Sequence, residues 1–302
     1  MRFNYLNDGT KLVARCLAMV IAGSSLVAAA EVGTNPLLEK WSGPYQGVPA
    51  FDRYQVAQFE PALETGMAED LAEIEKIASN PAAPTFENTI AALERAGRTL
   101  TRVVSVYGIW SSSLSTPEFQ AVEQKMAPKM AAFQDKITQN EPLFRRIDAV
   151  YQARQTSGLT AEQRRLVWVY YNNFVRAGAK LGAEPKKRLS EINQRLATLF
   201  TSFSQNLLAE ETDYVTWLTS EAELAGLPPS LVSAAAAAAE ERGRKGQWAI
   251  LNTRSSMEPF LTYSDRRDLR EKVWRTYYSR CDHGDAKDNK ALITEILKLR
   301  AE

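Results

Sequence analysis

Apolar residues recur along this chain at steps of three and four, with polar residues between them, and the period holds over most of its length. Residues 160–211 carry it most clearly. They predict two long amphipathic helices meeting at a short Gly-Ala-Glu-Pro turn. Thr160 is placed as the first N-cap, with Gln163 closing a capping box. Leu166, Tyr170, Phe174, Ala177 and Leu181 form that helix's apolar face. Gly182 supplies a stop, and Pro185 suits the first turn of the second helix. There Leu189, Ile192, Leu196, Leu199, Phe203 and Leu207 repeat the pattern. A turn this short predicts an antiparallel hairpin with the two faces packed on each other.

The remaining pattern is also mainly helical. Residues 31–54 are rich in Pro and Gly and predict an irregular entry segment pinned by Trp41, Tyr45 and Phe51. A helix over 55–79 presents Val56, Phe59, Leu63, Met67, Leu71, Ile74 and Ala78 on one stripe. Thr85 caps the next. Phe86, Ile90, Leu93, Gly97, Leu100, Val104 and Tyr107 then form a heptad seam, read as bundle core. Helices follow over 116–139, where Pro128 predicts a kink or break, and over 141–154. β-branched and aromatic residues predict short strands at 213–218 and 247–251. Ser220 and Glu223 form a capping box, and alanine-rich 230–242 is a helix. The next helix starts at Ser264, with Leu269, Val273, Trp274 and Tyr277 inward; residues 281–288 are a polar loop and 289–302 a last helix. The implied fold is mainly α: a multi-helix bundle of long antiparallel helices with a small two-stranded β element.

Composition adds limits. The chain has 302 residues, 45% hydrophobic and 24% charged, with a formal net charge of +1. That is ordinary for a globular protein and gives no basic excess for nucleic acid. The first thirty residues read as a secretory signal. Arg2, Lys11 and Arg15 precede the apolar run 16–27, and Ala28, Ala29 and Ala30 fit a cleavage site. The run is too short to span a bilayer. Cleavage after Ala30 predicts a periplasmic or secreted protein with no stable membrane insertion. Cys281 is then the one remaining cysteine, so no intramolecular disulfide is expected.

Several stretches carry a family likeness. NPLL at 35–38 precedes Trp41 and Pro-Ala-Phe-Asp at 49–52, where the family pattern has a second proline at Ala50. PTFENTIAALERAG spans 84–97, NFVRAGAKL spans 173–181, and LSEINQRLATLFTSFSQNLL spans 189–208. GLPPSLVSAAAAAAEERGRKGQW follows at 226–248. Over 35–302 the chain resembles the N-terminal half of the thimet-oligopeptidase and peptidyl-dipeptidase family of zinc metallopeptidases. The resemblance implies the N-terminal part of a clamshell-like peptidase, forming one wall of a substrate channel for short peptides. It divides the chain into a signal at 1–30, an N-terminal helical domain at 31–212, and the start of the catalytic region at 213–302, truncated before the zinc motif.

The family's zinc is held by His-Glu-x-x-His on a helix and a Glu on a later one. Two imidazoles at i and i+4 share a helix face, and the first Glu takes a proton from metal-bound water. This chain has a single histidine, His283, so no catalytic, cofactor-binding or metal residue is carried over. Zinc is expected in the full-length parent and not on this chain alone. His283 lies among Cys281, Asp282 and Asp285; that is a weak metal signal, and a solvated loop histidine is the expectation. No nucleophile elbow, phosphate loop or dinucleotide fingerprint occurs. The expected partners are short peptides and a missing C-terminal catalytic half. The alternative is a non-catalytic helical module that binds peptides. Residues 289–302 carry Leu292, Ile293, Ile296, Leu297 and Leu299 without the parts they would pack on, so the chain is expected to fold its helices over 55–211 but to fray after Ser279 and self-associate.

Overall fold

The computed structural model describes residues 35–44 and 47–302. The expected signal at 1–30 and the Tyr45 anchor lie outside them. The helices are α1 (Phe59–Ala78), α2 (Ala91–Arg95), α3 (Arg98–Ser113), α4 (Pro117–Thr138), α5 (Glu141–Ala153), α6 (Ala161–Arg176) and α7 (Ala183–Asp213). After them come β1 (Val215–Leu218), α8 (Pro229–Glu241), β2 (Trp248–Leu251), α9 (Arg254–Tyr263), α10 (Arg267–Tyr278) and α11 (Lys290–Ala301). The strands pair antiparallel, with Val215 opposite Leu251 and Leu218 opposite Trp248. The mainly helical reading and its small two-stranded sheet are what the structure shows.

Three cores hold these elements. The first joins the entry segment to the N-terminal half of α1, α3 and the start of α4. Its centre is aromatic: the Phe59 ring meets Phe119 edge-on at 5.2 Å and Trp110 at 5.2 Å. Leu37, Phe59, Leu63 and Phe119 are fully buried; each contributes roughly 1.5–3 kcal/mol by leaving water. Trp41 packs on this core, while Phe51 stays 42% exposed and stacks on Trp110. The second core joins the C-terminal half of α1 to residues 86–96, α5 and α6. The third lies between the strands and α8, α9 and α10.

The heptad seam is one pattern in sequence and two elements in space. A turn of π-helix over Phe86–Ile90 leads into α2, which stops at Ala96, and α3 starts after Gly97. Gly97 sits at φ +68, the left-handed region that only glycine enters without cost. Its N–H donates to Oε2 of Glu73 at 2.8 Å. The break sends Phe86, Ile90 and Leu93 into the second core, and Leu100, Val103 and Val106 into the first.

The two helices over 160–211 do not pack face to face as the expected hairpin. α6 packs against α5, and α7 lies along α4. Phe174 and Val167 enter the second core without the α7 residues expected to face them. α6 ends at Arg176, and the left-handed stop is Gly178, at φ +88, not Gly182. A Cβ there would meet the side chains of Leu189 and Leu181 at 2.7 and 2.9 Å. Gly182 is instead the N-cap of α7, and Leu181 is exposed. The turn from Ala177 to Gly182 therefore redirects the chain, and each helix finds a different neighbour.

Smaller differences have local causes. Pro128 lies inside the unbroken helix α4. Helix α9, which contains Pro259, follows the second strand where no helix was expected. Trp274 points outward, 48% exposed, while Val273 fills the core position beside it. α11 does have a partner: it docks on α7. Arg188 and Arg195 grip Glu302 and Glu295 in two-pronged pairs, with closest approaches of 2.6 and 2.7 Å. Leu297 and Ile293 of α11 remain exposed.

Candidate functional site

The bundle opens a cleft of about 560 Å³ between α3, α4 and α7. Its shape follows from side-chain size. Ala127 on α4 and Ala197 on α7 line it where larger residues would fill it. Met130, Leu208 and Phe200 add apolar surface, and Phe200 is 44% exposed. Polar groups from all three helices share the lining, Tyr107 and Ser111, then Glu123, then Thr201, Ser204 and Gln205, with Ser115 from the connection between α3 and α4.

These polar groups are held by one another. The Ser111 hydroxyl donates to Oε1 of Glu123. The Gln205 amide donates to Oε2 of Glu123 at 3.2 Å and to the Gln120 carbonyl at 2.9 Å. Gln124 in turn donates to Oε1 of Gln205 at 2.8 Å. The network fixes the Glu123 carboxylate between α3 and α7. A carboxylate has room for about four hydrogen bonds, so acceptor capacity remains. Burial first, and the charge of Glu123 second, push the Tyr107 phenol up, so it stays a protonated donor near neutral pH. A cleft of this size, with apolar lining and a few fixed polar groups, has the anatomy of a small-ligand site.

The loop 281–288 gathers Cys281, Asp282, His283 and Asp285. Cys281 is buried in a left-handed conformation at φ +57, and burial with the nearby charge of Glu210 pushes its thiol up. Asp282 pairs with Lys290, and a side-chain oxygen of Asp285 accepts from the Lys287 N–H at 2.9 Å. His283 is not simply solvated. Its ring stacks on Tyr214 at 5.2 Å between centroids, and Nε2 lies 3.3 Å from Oε2 of the fully buried Glu210. Asp282, His283 and Asp285 each engage a different partner. Among the described residues no group of three His, Cys, Asp or Glu side chains is placed to hold a metal ion.

The cleft was not foreseen in the sequence. Its three walls lie up to about a hundred residues apart, and no motif links them. The available signal was indirect: Ser, Thr and Gln concentrate on faces of α3 and α7 opposite the apolar stripes.

Comparison with known proteins gives these features a family. Residues 61–186 match the family model described as Neurolysin/Thimet oligopeptidase, N-terminal domain. The chain is similar to a dipeptidyl carboxypeptidase of Salmonella typhimurium, at 37% identity over 269 residues, covering 89% of this chain and 39% of that protein. It is similar at 37% identity to the dipeptidyl carboxypeptidase of Escherichia coli, with the same two coverages. Oligopeptidase A of Salmonella typhimurium is 30% identical over 273 residues, again 89% of this chain and 39% of that protein. The chain thus spans about two fifths of the length of the curated relatives it matches. The family-model match and relatives covering 89% of this chain support the thimet-oligopeptidase family, N-terminal part.

Proposed function

We propose that this chain is the N-terminal portion of an exported zinc peptidase that hydrolyses short peptides, and that the α3–α4–α7 cleft is one wall of its substrate channel. The observation that carries this reading is the cleft itself, within a chain related to dipeptidyl carboxypeptidases and oligopeptidases. An extended peptide brings unpaired N–H and C=O groups that need partners away from water. Tyr107 offers a donor, Glu123 and the side-chain oxygen of Gln205 offer acceptors, and Phe200 offers a surface for an apolar side chain. These residues bind and orient.

The zinc that the family implies does not fit the residues present. His283 is the chain's single histidine, and Glu210 beside it is fully buried with no metal-sized constellation around it. No metal step is therefore routed through these residues. Export rests on the arrangement of Arg2, Lys11 and Arg15, the apolar run 16–27 and the three alanines. N-terminal sequencing of the periplasmic product is expected to begin at Glu31.

A hybrid enzyme tests the main reading. Residues 31–302 are joined to the remainder of the Salmonella dipeptidyl carboxypeptidase in place of the segment they match. The hybrid is expected to release peptide fragments, and the 302-residue chain alone to release none. A folded hybrid without activity, or zinc-dependent cleavage by the chain alone, would overturn the proposal.

A further inference from the structure

We infer that Glu123 makes this cleft selective for peptides carrying a cationic group. The inference deepens the channel-wall reading and rests on it. Among the described residues Glu123 is the one acidic side chain in the cleft lining, and no basic residue lines it. Lys125 and Lys129, the lysines nearest to it in sequence, reach the other way. They pair with Glu60 and Glu64 on α1, Lys125 at 2.5 Å. The bonds that Glu123 receives come from neutral groups, the Ser111 hydroxyl and the Gln205 amide. They fix the position of its carboxylate and leave its charge uncompensated. A fixed acceptor loses little freedom when it takes a ligand, and hydrogen bonds to charged groups are the strong ones.

Phe200 and Ala197 stand on α7, across the cleft from Glu123 on α4. A lysine side chain suits this pairing, since its methylene stem covers apolar surface while its ammonium seeks an anion. A peptide amino terminus offers the same charge without the stem. The occupant proposed is therefore a short peptide with a Lys or Arg side chain, held by its stem along the α7 face and by its charge at Glu123.

The test uses the 302-residue protein and two pentapeptides, acetylated and amidated, identical except for one lysine or norleucine. Calorimetric titration at low salt is expected to show the lysine peptide binding roughly 5- to 20-fold more tightly. Glu123→Gln should remove that preference, and Glu123→Asp, which keeps the charge, should retain part of it. In the unaltered protein the preference should shrink several-fold between 20 and 500 mM salt, on the order expected for a partly exposed charge. The Ala197→Trp variant fills the cleft and should weaken both peptides. If both bind equally and Ala197→Trp still weakens them, charge selection is wrong and the channel wall stands. If neither peptide binds, or Ala197→Trp changes nothing, the channel-wall reading falls and this inference with it. A lysine preference that survives both Glu123→Gln and high salt also overturns the inference.

Discussion

Replacing Gly97 and Gly108 by alanine should move stability in opposite directions, although both glycines lie in the stretch that looks helical in sequence. Gly108 is in the interior of α3, and an added Cβ would meet nothing within 4 Å. Alanine there restricts the unfolded chain and favours the helix, which gives about 0.5–1 kcal/mol of stabilisation. Gly97 is at φ +68, and an added Cβ would come within 2.9 Å of the Asp70 carboxyl. A left-handed alanine costs roughly 1–2 kcal/mol before any contact. The Asp70 carboxyl can swing aside, but it is partly buried, and burial with the Glu73 charge already pushes it up. Displacing it also disturbs Glu73, whose Oε2 accepts the Gly97 N–H. The sum is a destabilisation of about 2–3 kcal/mol. Urea unfolding followed by tryptophan fluorescence reads both variants, because Trp110 is buried in the first core. Expected midpoints are lower for Gly97→Ala and higher for Gly108→Ala, with unchanged slopes. Equal or same-sign shifts would show that Gly97 is an ordinary helical residue and that α2 and α3 form one continuous helix.

Phe119→Ala removes a fully buried ring from the aromatic centre of the first core; a loss of about 3–5 kcal/mol in urea unfolding is expected. Arg146 is 6% exposed and donates to the carbonyls of Asn80 and Ala82 and to Oδ1 of Asn88. Arg146→Ala should cost about 2–4 kcal/mol and expose residues 80–88 to proteolysis, whereas an uncut loop would contradict that role. Hydrogen bonds from Arg195 and Arg188 hold the Glu295 and Glu302 carboxyls below the usual glutamate range. Their contribution is present above the unfolded glutamate value, near about 4.3, and is lost as pH falls through the lower folded values. Carboxyl titration by nuclear magnetic resonance should give midpoints below the ordinary one, and high salt should raise them toward it.

What the sequence made legible was local. Thr85 as a cap is seen with its Asn88 partner, and the boxes of Thr160 with Gln163 and Ser220 with Glu223 are present as read. Such signals involve residues three apart and depend on little else. Helical stripes were legible too: Phe59, Leu63, Met67, Ile74 and Ala78 are all buried. Choice of partner was not. The stripe on α6 meets α5, and α7 meets α4, because any apolar face of the right width satisfies another and hydrophobic burial has no direction. The glycine break at 97 was hidden because glycine fits a heptad position as readily as it fits a left-handed corner. The cleft was hidden for a related reason. Ser111, Glu123 and Gln205 converge only after α4 and α7 have paired, and on each helix alone they resemble a solvated face.

The end of α7 shows the same limit with charges in place of apolar faces. Glu210, Glu211 and Asp213 sit within one turn, and each meets a base from the loop about seventy residues later. Glu211 pairs with Arg280 at 2.8 Å, Asp213 with Lys287, and Glu210 approaches His283. In sequence, these read as acids at the end of an exposed helix and bases in a polar loop. In space they form one seam, with Asn289 donating to the Phe203 carbonyl and accepting from Asn206 beside it. The innermost pair differs from the other two. Glu210 is fully buried, and neither carboxylate oxygen has a hydrogen bond of good geometry. The His283 ring faces this carboxyl, with Nε2 3.3 Å from Oε2. The Asp213–Lys287 pair is exposed enough to contribute little alone, and the Glu211–Arg280 pair is half-buried. Their role is geometric: with Asn289 they hold residues 280–289 against α7, and so keep the imidazole over the buried Glu210 carboxylate.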